Sequence, residues 1–252
     1  MTESINSATD TVTGLQSDEL HARVERLKAQ SEILSPLERE RLAEMDRHTA
    51  KYQYSPDDTV NLVGVLAGVK PVALLHDLDL VTRYADDFSL HVSINHTPFE
   101  GATSPWIAVS RDEKVSQQLI ENLSNLYDEE SEREIGYMLG FPATAVDYYL
   151  KRIGTIDTPD ELPFVTPLST RGTASESFQK LIFSPDSYND ELNQYSVPLE
   201  NAVKTLLPET YEVIEGSYSR MKRRKKIAER APFFLKKLLL KHNDDIKRKY
   251  VP

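Results

Sequence analysis

There is no cysteine in this sequence. Disulfides, thiolate metal sites and a cysteine nucleophile are thereby excluded, and the absence fits a reducing compartment. Residues 1–16 carry neither a basic region nor an apolar stretch, so they do not read as a secretory leader. Long hydrophobic runs are missing too. The most apolar stretch, residues 62–69, is closed by Lys70 and Pro71, far short of the ~20 residues a spanning helix needs. No internal repeat is found. These absences lead us to expect a soluble, cytoplasmic protein.

What is present is enough for a core. The chain has 252 residues, 39% of them hydrophobic, with a mean hydropathy of −0.47. That length suits one large domain, or one domain with appendages. Net charge is −10, but it is unevenly placed. Residues 219–252 hold thirteen Lys/Arg and three Asp/Glu, while the rest holds seventeen and thirty-seven. A basic end of net +10 thus follows an acidic body of net −20. Such a split has two readings: the basic end docks on its own acidic body, or it contacts an external anion.

The pattern of apolar residues predicts an α+β fold, mostly helical, with a small two- or three-stranded sheet. Residues 1–16, rich in Ser, Thr and Asn, read as disordered. Residues 17–53 read as a helical hairpin with thin apolar stripes that cap the body. Its second helix opens on a capping box at Ser35 and Glu38, with Pro36 at the first helical position. Residues 55–207 form the main α+β domain. There, a buried helix over 59–69 is followed by a second apolar stretch over 72–84, with Leu74, Leu75, Leu78 and Val81 at helical spacing. Strands are expected over 89–95, 106–110 and 178–183. Asp112 caps one helix, Gly140 ends the next, and a third runs through Val146 and Leu150. Residues 154–177 read as a long loop. Residues 208–252 are expected to form a basic helical C-terminal region.

Four constellations carry possible chemistry. Gly64, Gly68 and Lys70 look at first like a phosphate loop, but the glycine spacing is three and a valine precedes the lysine, so that reading is rejected. Placed four apart on a helix, the two glycines would share a face against a packing partner. His76, Asp77 and Asp79, with His91 and His96, are residue types that can hold a divalent metal for hydrolysis. However, His91 and His96 sit at opposite strand parities. The segment from Glu134 to Arg152 reads as a helix-turn-helix. In it Ala143, Thr144 and Asp147 would face bases, with Tyr148 and Lys151 near phosphates. Its net charge of −4 over residues 113–154 argues against this, because phosphate contact needs positive charge.

The fourth constellation is the basic end. Residues 222–226 are all Lys or Arg, and Lys236 and Lys237 flank an apolar stripe built from Phe234, Leu235, Leu238 and Leu239. Arg223, Arg224, Lys225, Lys226, Lys236 and Lys237 are therefore the expected anion contacts. The partner would be a nucleic acid, an anionic membrane surface or an acidic protein. No spacing assembles a nucleophile with a base, so no catalytic residue, metal or cofactor is assigned.

Two segments resemble motifs of an uncharacterised bacterial family, a domain of unknown function. Residues 66–71, Leu-Ala-Gly-Val-Lys-Pro, are similar to its Leu-Ala-Gly-Ile-Lys-Pro segment. Residues 133–142, Arg-Glu-Ile-Gly-Tyr-Met-Leu-Gly-Phe-Pro, are similar to its His-Glu-Ile-Gly-x-x-Leu-Gly-Tyr-Pro segment. Between them, residues 107–111 look like its strand ending in Tyr-Arg. This chain has Arg133 in place of the histidine and Phe141 in place of the tyrosine. The resemblance implies no activity.

Overall fold

The structure is a computed structural model that describes residues 17–29, 34–95, 105–124, 128–153, 178 and 187–230. The expectations for residues 1–16, 154–177, 179–183 and 232–250 lie outside these. The fold is α+β and mostly helical, with a three-stranded antiparallel sheet. Helices α1 (Ser17–Ala29), α2 (Pro36–Ala50) and α3 (Pro56–Leu66) lead into strand β1 (Val72–Leu75). Helix α4 (Leu78–Tyr84) and a 3-10 turn precede β2 (His91–Asn95) and β3 (Trp106–Ser110). Then come α5 (Glu113–Leu123), α6 (Glu129–Met138) and α7 (Ala143–Ile153). The chain closes with α8 (Tyr188–Glu191), a π turn (Leu192–Ser196), α9 (Val197–Leu206) and α10 (Pro208–Arg230).

Strand order is β1-β3-β2, and the register sorts the side chains by face. Ala73 pairs with Val109 and Leu75 with Ile107; all four belong to a core shared with α3, α4 and α9. Val72 and Ala108 face the other way, into a second core with Leu20 and Val24 of α1, Leu119 of α5 and Met138 of α6. The sheet is thus covered on both faces. Burying each Val or Leu this way stabilises the fold by about 1.5–3 kcal/mol.

That double cover explains one correction. Residues 72–75 form a strand, not the start of a helix. A strand buried on both faces reads as an unbroken apolar run, which mimics helical spacing. Among the described residues the third strand is β1; Phe178 sits in a 3-10 turn, and the rest of the strand expected there, 179–183, lies outside them. A second correction concerns the N-terminal pair. Instead of forming a hairpin, α1 packs on α5 and α6, whereas α2 packs on α3 and α10. Leu42 and Met45 of α2 lie inside the first core, and Leu20 and Val24 of α1 inside the second. Neither helix merely caps the body.

Local signals agree elsewhere. The Ser35–Glu38 capping box forms in both directions. Asp112 caps α5 through Lys114 N at 3.0 Å. The start of α9 is less regular: a π turn over Leu192–Ser196 ends two residues before Pro198. Proline lacks an N–H and its ring crowds the carbonyl four residues back, so a widened turn ahead of it relieves that clash.

Candidate functional site

Helix α10 is built from two halves of opposite charge. Glu209, Glu212 and Glu215 lie in its first half, and its second half carries Arg220 and the basic run 222–226. This order suits the helix dipole, which favours acids at the N-terminus and bases at the C-terminus. Its start is clamped to the body. Buried Asp46, on α2, accepts Glu209 N at 3.0 Å and Thr210 N at 2.7 Å. Thr210 is fully buried. Tyr211 donates to Glu200 at 2.9 Å and stacks on Phe178 at 5.6 Å; burial pushes its hydroxyl pKa up to about 12. Further along, Ile214 still packs against the first core. From Ser219 the character changes: Ser219, Arg220 and Arg223 are exposed while the helix continues to Arg230.

Arg223 is thus exposed, and no carboxylate among the described residues pairs with it. Arg224, Lys225 and Lys226 follow on the same helical backbone. Lys236 and Lys237 lie outside the described residues. Helix α10 packs against α2 and α9.

The helix-turn-helix positions fall on α6 and α7. Gly136 lets the two approach, since a Cβ there would meet Val146 Cγ2 at 2.7 Å. Ala143, Thr144 and Lys151 are exposed and Tyr148 is half-buried. Asp147 is held in an ion pair with Arg133, which occupies it on the protein's own surface. Glu129 also pairs with Arg133, at 3.2 Å.

His76, Asp77 and Asp79 do not converge. Asp77 serves as the N-cap of α4, accepting Leu80 N at 3.0 Å, and it also accepts Ser55 N at 2.9 Å. The His76 ring meets Trp106 edge-on at 5.2 Å, and Asp79 is exposed. His91 is exposed on β2, and His96 lies outside the described residues. Among the described residues no group of three His, Asp or Glu could hold a metal. The carboxylate beside His76 is Asp58, which accepts His76 N at 3.0 Å and Asp77 N at 2.7 Å. Burial raises its pKa against the lowering effect of those two bonds.

Sequence reasoning missed the role of Lys70. It is only 5% exposed. Its Nζ donates to Asn61 Oδ1 at 2.8 Å and lies 5.7 Å from the Tyr195 ring centroid and 6.0 Å from that of Phe141. Its stem fills the space beside Gly64, where a Cβ would meet Lys70 Cδ at 2.7 Å. Gly68 does not share a helix face with Gly64; it takes a φ of +69° just past the end of α3. Gly140 has a φ of +85°, and a Cβ there would meet Val69 O at 2.8 Å and Pro71 Cδ at 3.2 Å. The segments 66–71 and 133–142 therefore touch. The only early signal was a lysine set between an apolar helix and a proline. Enclosed by aromatic rings and its own stem contacts, Lys70 acts as a packed cation joining α3, α7's lead-in turn and the π turn.

Compared with protein-family models, with curated proteins and with solved structures, the chain has no match in any of the three. Its chemistry is read from its own geometry.

Proposed function

We propose that this chain is a non-catalytic binding protein whose basic second half of α10 contacts an anionic partner. One observation carries the reading: α10 is clamped to the body at Asp46, and Arg220 and Arg223 further along it are exposed. A helix docked on its own acidic surface would have buried these positions or paired them with carboxylates. An exposed run of like charges repels itself, and an opposing anion relieves that repulsion. A cytoplasmic location goes with this reading, as does membership in the family resembled by residues 66–71 and 133–142. Among the described residues no helix is long and apolar enough to cross a membrane.

The test is binding of the full chain to immobilised heparin, a generic polyanion, across a salt series. Binding should weaken steeply with salt. Substituting Arg223, Arg224, Lys225 and Lys226 together by Ala should abolish it without lowering the thermal midpoint. Retention of the wild-type affinity by that variant would overturn the reading. The helix-turn-helix alternative keeps one supporting observation, the exposure of Ala143 and Thr144. A Thr144→Glu variant would weaken DNA binding only under that alternative.

A further inference from the structure

Strand β2 is an outer strand of the sheet, and among the described residues no strand pairs with its far side. The two faces of the sheet are finished differently there. On one face α5 packs over both β2 and β3, and Ser93 Oγ lies 3.0 Å from Ser116 Oγ of α5. On the other face α3 packs on β1 and β3. The first core therefore thins toward β2. Val109 and Ile107 of β3 are fully buried, yet Val92, the partner of Val109, is 38% exposed. Ile94, the partner of Ile107, is only partly buried.

A free edge presents unpaired backbone N–H and C=O groups, and proteins commonly guard it with lysine, proline or a bulge. Strand β2 has none of these. It reads His-Val-Ser-Ile-Asn, and its register with β3 is unbroken. Residues 88–99 hold no Lys, Arg, Asp or Glu, in a chain where 28% of residues are charged. A net charge of −10 makes two copies repel over most of their surface. Along this strand no like charges would meet.

We infer that the outer edge of β2 is a self-association surface and that its partner is a second copy of this chain. Two-fold symmetry fixes the arrangement. An axis perpendicular to the sheet runs the two β2 strands antiparallel and keeps each face on its own side. Directly opposed residues share a face, so the register can move only in steps of two. Centring the axis on Ser93 pairs the whole strand: His91 meets Asn95 of the second copy, and Val92 meets its Ile94. Both Val92–Ile94 pairs then lie on the face where the first core thins, and they cover Val92. The product is one continuous sheet of order β1-β3-β2-β2-β3-β1. Five paired residues make a small interface, so dissociation falls in the micromolar range. This pairing is independent of any anion held by α10.

The experiment is sedimentation equilibrium of the full chain from low to high micromolar concentration, with amide hydrogen exchange measured over the same range. The mass should rise from 28.7 kDa toward twice that value. Amides of β2 that point away from β3 should exchange about tenfold more slowly at the top of the range, by mass action. Val92→Lys sets a cation against Ile94 of the second copy and should raise the dissociation constant at least about tenfold. Its circular dichroism spectrum should stay unchanged, since Val92 is exposed in the single chain. A chain that remains monomeric throughout overturns the inference. A dimer whose β2 amides exchange at the same rate at every concentration overturns the placement on β2. So does a Val92→Lys variant that dimerises as tightly as the wild type. Should that variant lose its fold, the exchange measurement on the unaltered chain decides.

Discussion

Lys70 and Arg223 are both cations of one chain, and they are treated in opposite ways. Lys70 is enclosed, hydrogen-bonded to Asn61 and set beside the rings of Phe141 and Tyr195. Arg223 stands exposed on the second half of α10. A buried charge is tolerated only where its surroundings replace water, so its removal leaves a gap and unmet partners. An exposed charge is already solvated, and its removal costs the fold little. The difference separates charge that builds the molecule from charge available to another molecule.

The sharpest test of that contrast is Lys70→Ala. It empties the space beside Gly64 and leaves Asn61 Oδ1 without its donor, so a loss of about 4 kcal/mol in urea unfolding is expected. A loss below about 1 kcal/mol would place Lys70 with the surface cations instead. Gly140→Ala attacks the same junction from the opposite segment. A Cβ at a φ of +85° would meet Val69 O at 2.8 Å, and the combined strain should cost about 3 kcal/mol. Asp46→Ala removes the clamp on the start of α10. Two backbone N–H groups lose their acceptor, which should lower stability by about 2 kcal/mol and raise proteolytic cleavage within α10.

A smaller effect separates a buried acid from both cations. Burial raises the folded-state pKa of Asp58 above its unfolded value of 3.8. The protonated carboxyl therefore favours the folded state. Its contribution is fully present below the unfolded value and is lost as pH rises through the folded one. Asp58→Asn should flatten that decline, seen as thermal midpoints that vary less from about pH 4 upward. If the slope is unchanged, another group governs it. Least of all, Arg223→Ala should alter stability by under about 0.5 kcal/mol while reducing the salt slope of any heparin binding by about 1.

Much of this architecture could be read before any coordinates. Ser35, Asp112 and Gly140 announced helix ends because capping is local chemistry, decided within four residues. The alternation over residues 89–95 and the short run at 106–110 gave two strands for the same reason, the first of them beginning at His91 in the structure. What stayed hidden depended on distant neighbours. Residues 72–75 looked helical because a strand covered on both faces loses its alternation. The separate placement of α1 and α2 follows from which core each stripe meets, and nothing in residues 17–53 names that core. Lys70 was hidden for a similar cause: the rings around it come from positions 141 and 195, far along the chain. The basic run at 222–226 was plain in the sequence. The exposure of Arg223 within it was not, because that depends on how Asp46 and the first core seat α10.

The clamp at Asp46 also bears on the order of assembly. Asp46 and Thr210 are 164 residues apart in the chain, so their hydrogen bonds close a very long loop and reward it only after closure. The lever that carries the arginines is consequently seated at a fixed angle only once α2 and the intervening core are in place. An incompletely folded chain would hold its cations on an unanchored segment, with more ordering entropy to lose on meeting a polyanion. Seating of α10 is thus tied to completion of the body, so the direction in which Arg220 and Arg223 are presented is a property of finished molecules.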